Sequence, residues 1–316
     1  SKQTYRYQSG MARLQENGRF ALDIFAEKIR MAGYMGCFSS DTGNLVNTVN
    51  GGGTVEYDFS KPILAWQATT SSYEANKDAT LWTAQVPADV QALINSTPVG
   101  TTFSDILVFT GPGNSGIRLA SAMPDSSAAL KVAQHTPAIL ADGDILLISD
   151  CQKSAIFQAT QVTYPTGVGD VNVVHNTGTG TPGNSQKELS NDGSSFDKDA
   201  SVFTLEKIYY FIAPSTIDNN SNDTVMALWR KVNAAAPEEL VAGVGNLQIL
   251  IGEDIDDDKS ADRYGAANLV DFEKVVSVRV SLDANTVERI NIKANASDAI
   301  RTQTFAQTVQ VRNRSL

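Results

Sequence analysis

Apolar residues near the start of the chain recur at steps of three and four. The positions are Met11, Leu14, Gly18, Ala21, Leu22, Phe25, Ile29 and Ala32. Residues at this spacing lie on one side of a 3.6-residue helix, so the pattern predicts an amphipathic helix with that side buried. Gly33 and Gly36 favour a helix stop, because glycine adopts the left-handed conformation without a steric penalty.

The rest of the chain alternates short apolar runs with turn residues, which is typical of β-strands. From Val275 to Leu282 every second residue is apolar, and this predicts a strand with one buried face. Phe305, Val309 and Val311 repeat the pattern near the end. Further strands are predicted at 54–59, 63–68, 104–110, 144–149, 155–163, 203–213, 224–232 and 244–251, and a short helix at 87–94. One long helix followed by runs of strands predicts an α+β fold with a mainly antiparallel sheet.

Residues 165–200 differ from their surroundings in composition. They are rich in Gly, Thr, Asn, Ser and Asp and contain few large apolar side chains. Such a segment buries too little surface to fold alone, so we expect a long loop or insertion. The predicted organisation is therefore an N-terminal helix in residues 1–37 and a β-rich head in residues 38–316 that carries this loop.

The charge balance argues against nucleic acid as a partner. The chain has 35 acidic and 25 basic residues, a net charge of −10 and no block of Lys or Arg. Binding to a phosphate backbone needs clustered positive charge. The sequence also lacks a run of about 18 apolar residues, so the chain as given is expected neither to span a membrane nor to carry a signal peptide.

The sequence contains two cysteines, Cys37 and Cys151, each beside the end of a predicted element. In a cytosolic protein two such residues would be buried thiols. In a periplasmic protein they would form a disulfide. The residues alone leave both interpretations open.

The most specific local pattern is the acidic run EDIDDDKSADRY, which starts at Glu253. It contains Asp254, Asp256, Asp258 and Asp262, a spacing close to the first, third, fifth and ninth positions of calcium-binding loops. Lys259 stands where such loops have Gly, and Gly265 stands where they have a bidentate Glu. The pattern predicts a weak calcium site, and the alternative is a solvated acidic hairpin. No other cofactor is expected.

No pattern in the sequence indicates catalysis. Gly178, Gly180 and Gly183 fit a GxGxxG template, but the run contains Pro182 and no apolar helix pattern follows it. His135 and His175 occur in unrelated contexts, which gives no support to a zinc site or a histidine-based triad. The sequence therefore predicts a protein that is not an enzyme.

The run LQENGRFALDIFAEKIRMAGYMGC, from Leu14 to Cys37, resembles the segment after the membrane-spanning half of the N-terminal helix in PilW-type minor pilins of type IV pili. The second half of the chain resembles the same family. The matching stretches are IYYFIA from Ile208, LWR from Leu228, ELVAGVGNLQILIGED from Glu239, ADRY from Ala261, VVSVRVSL from Val275 and VRNR from Val311. The middle of the chain is not covered.

The resemblance implies a type IV pilin-like fold, in which the long helix packs its apolar side on a mainly antiparallel sheet. It assigns packing against partner subunits to the helix residues Met11, Leu14, Ala21, Leu22, Phe25 and Ile29. It favours a disulfide between Cys37 and Cys151, and closing a loop of roughly 110 residues is worth about 4 to 5 kcal/mol in the chain-entropy model. It also implies that a membrane-spanning half-helix precedes the sequence in hand.

The resemblance further implies a structural role. A protein of this family joins other minor pilins and the major pilin in the complex that initiates pilus assembly, sits at the fibre tip and supports a tip adhesin. The implied location is the inner membrane with a periplasmic head before assembly, and the extracellular pilus tip afterwards. Two alternatives remain: a minor pseudopilin of a type II secretion system, and an adhesive or ligand-binding module at a fibre tip.

Overall fold

A computed structural model gives the structure of the chain. It describes residues 2–36, 38–39, 44–51, 57–59, 61–68, 73–74, 86–98, 101, 104–291 and 297–312. The chain divides into two compact units. Unit 1 comprises Ser1–Arg30, Ile63–Phe109 and Ile208–Leu316, and unit 2 comprises Met31–Pro62 and Thr110–Lys207. These units cut across the predicted division into residues 1–37 and 38–316.

The helices are α1 (Lys2–Met31) and α2 (Ala88–Asn95), with 3₁₀ turns at Ala267–Leu269 and Phe272–Lys274. The strands are β1 (Tyr34–Met35), β2 (Phe38–Ser39), β3 (Leu45–Asn47), β4 (Ile63–Ala68), β5 (Tyr73–Glu74), β6 (Ile106–Pro112), β7 (Ile117–Arg118), β8 (Leu130–Val132), β9 (Ile145–Ser149), β10 (Ser154–Gln158), β11 (Gln161–Thr163), β12 (Val171–Val174), β13 (Ser201–Pro214), β14 (Met226–Val232), β15 (Glu238–Ala242), β16 (Val244–Glu253), β17 (Arg263–Gly265), β18 (Val275–Asn285) and β19 (Thr302–Gln310).

Helix α1 is present where the apolar spacing predicted it. Its buried residues are Leu14, Gly18, Ala21, Phe25, Ala26 and Ile29. Gly33 and Gly36 follow the helix with φ angles of 73° and 80°, the left-handed conformation in which glycine is favoured. Among the residues that the structure describes, no helix is long and apolar enough to cross a bilayer.

In unit 1, antiparallel strands form the surface against which α1 packs. The order β17-β16-β18-β19 makes one four-stranded sheet. Elsewhere in the unit β14 pairs with both β13 and β15, and β4 pairs with β5 and β6. Phe25 of α1 meets the ring of Tyr210 edge to face, with ring centres 5.1 Å apart. A Cβ atom on Gly18 would lie 2.5 Å from the ring of Phe305, so the helix approaches β19 closely.

Unit 2 has a core of its own. Strand β10 pairs antiparallel with β9 and parallel with β3, and β12 pairs with β11 and β8. One buried cluster contains Phe157, Val171, Val173, Leu189 and Phe196 among its members. Three of these residues come from two strands, while Leu189 and Phe196 come from the connection between β12 and β13.

The predicted type IV pilin-like fold is wrong. That prediction placed one long helix on one mainly antiparallel sheet with loop insertions. The structure instead has one long N-terminal helix and a largely β chain whose strands fall into several sheets, one with a parallel pair. The reason is that alternation of apolar residues specifies strands but not their partners, and the middle of the chain carries enough apolar residues for a second core.

Two local predictions also need correction. Residues 165–200 are not a plain loop, because they contain β12 and the buried side chains of Leu189 and Phe196. The strand predicted at 155–163 is interrupted, and its two parts are β10 and β11. The strand predicted at 54–59 lies largely outside the described residues.

Candidate functional site

The acidic segment lies between β16 and β17 in unit 1. Asp254 is only 7% exposed, and its carboxylate accepts hydrogen bonds from the backbone N–H groups of Asp258 at 3.2 Å and Lys259 at 2.7 Å. Asp262 accepts a hydrogen bond from the backbone N–H of Ile255 at 2.6 Å. The two carboxylates therefore hold the loop closed at both ends, as short polar side chains do in turns.

Three of the four predicted calcium ligands come together. Carboxylate oxygens of Asp254, Asp256 and Asp262 lie within 4.8 Å of one another. Asp258 is not part of this group, and its carboxylate accepts a hydrogen bond from the backbone N–H of Ser260 at 2.8 Å. Three carboxylates suit a hard cation such as Ca²⁺, which takes 6 to 8 oxygen ligands. The same oxygens also serve backbone N–H groups, so the chain supplies few free ligand positions.

The structure explains the departure from the calcium-loop pattern at Lys259. The φ angles of Lys259 and Asp257 are 70° and 61°. The loop therefore makes its sharp turn with side chains where calcium loops use glycine. A lysine in this conformation is strained, because its Cβ atom crowds the backbone.

Sequence reasoning missed Glu253, which anchors the base of the loop. Its side chain is buried, and one carboxylate oxygen accepts a hydrogen bond from Arg263 Nε at 2.6 Å. The other oxygen accepts a hydrogen bond from the backbone N–H of Asp271 at 2.6 Å. The signal in the sequence is an acidic residue at the end of an apolar strand, a position that favours a buried, paired carboxylate.

The helix residues assigned to packing fall into two groups. Leu14, Ala21, Phe25 and Ile29 are at most 1% exposed and lie in the core of this protein. Met11 and Leu22 are partly exposed. Burial leaves the first four without surface for another subunit, so their role is to fix α1 on its own unit.

The outward side of α1 presents aromatic residues that the apolar spacing did not predict. Tyr5 is 71% exposed and Phe20 is 53% exposed. Phe20 shares a shallow surface depression with Glu16, Arg19 and Asp23. Phe20 therefore offers exposed apolar area on an otherwise charged part of the helix surface. The signal in the sequence is an aromatic residue outside the buried stripe.

Cys37 lies outside the described residues, so the disulfide to Cys151 stays a prediction. The neighbouring residues are close in unit 2. A Cβ atom on Gly36 would lie 2.4 Å from the hydroxyl oxygen of Ser149. The residue before Cys37 therefore packs on a residue two positions before Cys151, which favours the bridge.

Neither histidine belongs to a nucleophile–base arrangement. His135 Nε2 lies 2.9 Å from the hydroxyl oxygen of Tyr164, and His175 Nε2 lies 2.9 Å from the carbonyl oxygen of Ala128. Gly178 and Gly180 have positive φ angles in turns, and in the described part of the chain no α-helix follows them.

A comparison with protein families gives a match in the second half of the chain. Residues 210–313 match the family model described as type IV pilus-assembly protein W, PilW. The matched segment starts within β13 and includes all of β14 to β19. The comparisons with curated proteins and with solved structures found no match. The resemblance to PilW-type proteins is therefore confirmed over residues 210–313, and this match supports a part in type IV pilus assembly.

Proposed function

We propose that this protein is a minor pilin that joins other minor pilins in the complex that initiates pilus assembly. The observation that carries the proposal is the family match over residues 210–313. Helix α1, which carries the resemblance to the pilin N-terminal segment, packs on strands of the matched segment. Asn17 of α1 adds a hydrogen bond from its side-chain nitrogen to the carbonyl oxygen of Ala242, at 3.0 Å.

The proposed location follows from this role. The full-length protein would be held in the inner membrane with its head in the periplasm, and would move to the extracellular pilus tip on assembly. The proposed partners are other minor pilins, the major pilin and a tip adhesin. The exposed aromatic Phe20 is the contact that we assign to a neighbouring subunit, because it offers apolar area on an otherwise charged helix face.

Co-purification from the native host tests this contact. The amount of pilus subunits that co-purify with the full-length Phe20→Glu variant should be at least about tenfold lower than with the parent. The reason is that the variant would bury a charge in the contact. Phe20→Leu is the matched control and should retain them. Equal recovery with Phe20→Glu would contradict the assignment. Recovery of secretion-system components in place of pilus subunits would favour the pseudopilin alternative.

An adhesive role is the second candidate, and a cavity in unit 2 favours it. The cavity of about 310 Å³ is lined by Asn44, Val46, Gln152, Lys153, Ser190, Asn191, Asp192 and Ser194. Hydrogen bonds from Ser194 lower the pKa of Asp192, so this carboxylate is ionised at neutral pH. Amide, hydroxyl and carboxylate groups suit a hydroxyl-rich ligand such as a glycan.

A glycan array tests the adhesive role. Binding by the intact protein that is lost in Asn191→Ala would support it. No binding, or binding that Asn191→Ala leaves unchanged, would contradict it.

We also propose the acidic loop as a cation site, since three of its predicted ligands converge. Calcium should raise the melting temperature of the parent protein. Asp256→Asn should abolish this effect, because it removes a carboxylate from the cluster. Asp258→Asn is the matched control outside the cluster and should retain the effect. An unchanged melting temperature in about 5 mM calcium would show that the loop is an acidic hairpin without a metal.

A further inference from the structure

Strand β19 forms one edge of the four-stranded sheet in unit 1. It contains nine residues, and its antiparallel register with β18 runs without a shift from Thr302 to Gln310. Among the described residues, β18 is the strand with which β19 pairs. Within the described residues, the backbone groups on the other side of β19 therefore form a row that no strand pairs with.

The register shows which residues contribute to this row. The backbone N–H of Val311 donates to the carbonyl oxygen of Val276 on the β18 side, at 2.8 Å. In an antiparallel pair, successive residues direct both backbone groups to alternate sides. The residues that direct N–H and C=O to the open edge are thus Thr302, Thr304, Ala306, Thr308 and Gln310, all with exposed side chains.

This edge lacks the features that block strand pairing. The sequence TQTFAQTVQ contains no charged residue, no proline and no glycine. At the opposite edge of the same sheet, β17 has only three residues and includes Arg263. Strand β15 is an edge strand with Glu238 and Glu239. Natural proteins usually protect an open edge with such short strands or charges, so a long neutral edge is a template for another strand.

The strand is complementary to itself. A two-fold axis at Ala306 would place Thr304 opposite Thr308 of a second copy, and Thr302 opposite Gln310. All of these residues direct their backbone groups to the open edge, so each pair can exchange both N–H···O=C bonds. Threonine pairs on neighbouring strands are favourable, and no like charges meet.

Charged residues of the next strand hold the side chains of the edge in place. Arg279 pairs with Thr308 in the β18–β19 register, and Asp283 pairs with Thr304. Arg279 Nε donates to the hydroxyl oxygen of Thr308 at 3.1 Å, and Thr304 donates its hydroxyl hydrogen to Asp283 at 2.6 Å. The same two-fold axis places Arg279 of one copy and Asp283 of the other in one row, about three strand spacings apart, so no like charges face each other along that row.

The geometry points to a homodimer in which two copies of β19 pair antiparallel about Ala306. The result is a continuous eight-stranded sheet across the two copies. The contact is a single pair of edges, much smaller than a standard protein interface, so we expect a reversible dimer with a dissociation constant on the order of 100 µM. This inference does not depend on the pilus role.

Analytical ultracentrifugation of the chain from about 10 to 500 µM tests the inference. The parent should change from monomer to dimer over this range. Ala306→Lys and Ala306→Glu should each raise the dissociation constant by about tenfold or more, because like charges meet at the two-fold axis. An equimolar mixture of the two variants should restore dimers, since the opposite charges then pair. Restoration also shows that both variants are folded.

Leu250→Lys is the control, because Leu250 is exposed on the same sheet but lies on the inner strand β16. It should dimerise like the parent. A parent that stays monomeric at the highest concentration would overturn the inference. Dimers that persist in Ala306→Lys alone would also overturn it, as would a mixture that shows no heterodimer.

Discussion

The carboxylate of Asp105 accepts a hydrogen bond from the backbone N–H of Ile249 at 2.7 Å. Its other oxygen accepts a hydrogen bond from the backbone N–H of Ala68 at 2.8 Å. Asp105 is 1% exposed and lies just before β6. One buried carboxylate therefore joins β4 to β16 within unit 1. Burial raises the pKa of Asp105 to about 6, although both hydrogen bonds oppose this shift.

The raised pKa of Asp105 predicts a pH-dependent stability. Because the folded state holds the proton more tightly than the unfolded chain, this residue's contribution is greatest below pH 4 and is lost as the pH rises through about 6. The change amounts to at most about 3 kcal/mol. Asp105→Asn should abolish this fall in the free energy of unfolding between about pH 4 and 7, measured by urea unfolding. An identical pH dependence of the free energy of unfolding in the variant would contradict its assignment to Asp105.

His175 should make the stability depend on pH in the opposite direction. Its Nε2 lies 2.9 Å from the carbonyl oxygen of Ala128, and burial lowers its pKa below the usual histidine value. Protonation is therefore easier in the unfolded chain, so its contribution is present at neutral pH and lost as the pH falls below about 6.5. His175→Gln should remove this acid-dependent loss of stability, measured by hydrogen exchange in unit 2. His135→Gln is the control and should leave it in place.

The close approach of α1 to β19 predicts contrasting effects of two glycine substitutions. Gly18→Ala would place a Cβ atom 2.5 Å from the ring of Phe305, so the ring or the helix must move. We expect a loss of about 1 to 3 kcal/mol in the free energy of unfolding. In Gly10→Ala the closest atom to the new Cβ would be the tip of Ile290 at 3.0 Å, and the variant should gain about 0.5 to 1 kcal/mol from helix propensity. If both substitutions changed the thermal stability equally, α1 would lie farther from β19 than the structure shows.

Relief of the strained turn should stabilise the acidic loop. Lys259 has a φ angle of 70°, which glycine adopts without a steric penalty. Lys259→Gly should therefore raise the free energy of unfolding by up to about 1 kcal/mol in urea titrations. Asp257→Gly is the matched control with a smaller expected gain, because aspartate tolerates this conformation better. A loss of stability in Lys259→Gly alone would contradict the claim that the backbone at Lys259 is strained.

The sequence predicted local elements well because their signals are local. The helix stripe ending before Gly33 and the alternation in Val275 to Leu282 each reflect residues that are neighbours in the chain. The pairing of strands was not predictable in this way. The parallel register of β3 with β10 joins residues about 110 positions apart, and no periodicity records it.

The candidate site shows the same limit. Carboxylate oxygens of Asp254, Asp256 and Asp262 lie within 4.8 Å of one another because a short loop confines them, and the calcium site itself stays a prediction. The carboxylate of Asp258 instead accepts a hydrogen bond from the backbone N–H of Ser260, a contact that the spacing did not indicate. The buried position of Asp105 was not predicted, since it depends on contacts with two distant strands.

The number of pili per cell after deletion of this protein's gene tests the central claim most directly. If the protein initiates assembly, electron microscopy should show far fewer pili of normal length, because loss of a nucleating complex limits how often fibres start. The intact gene supplied in trans should restore the number. Normal pilus numbers in the deletion strain would contradict the account.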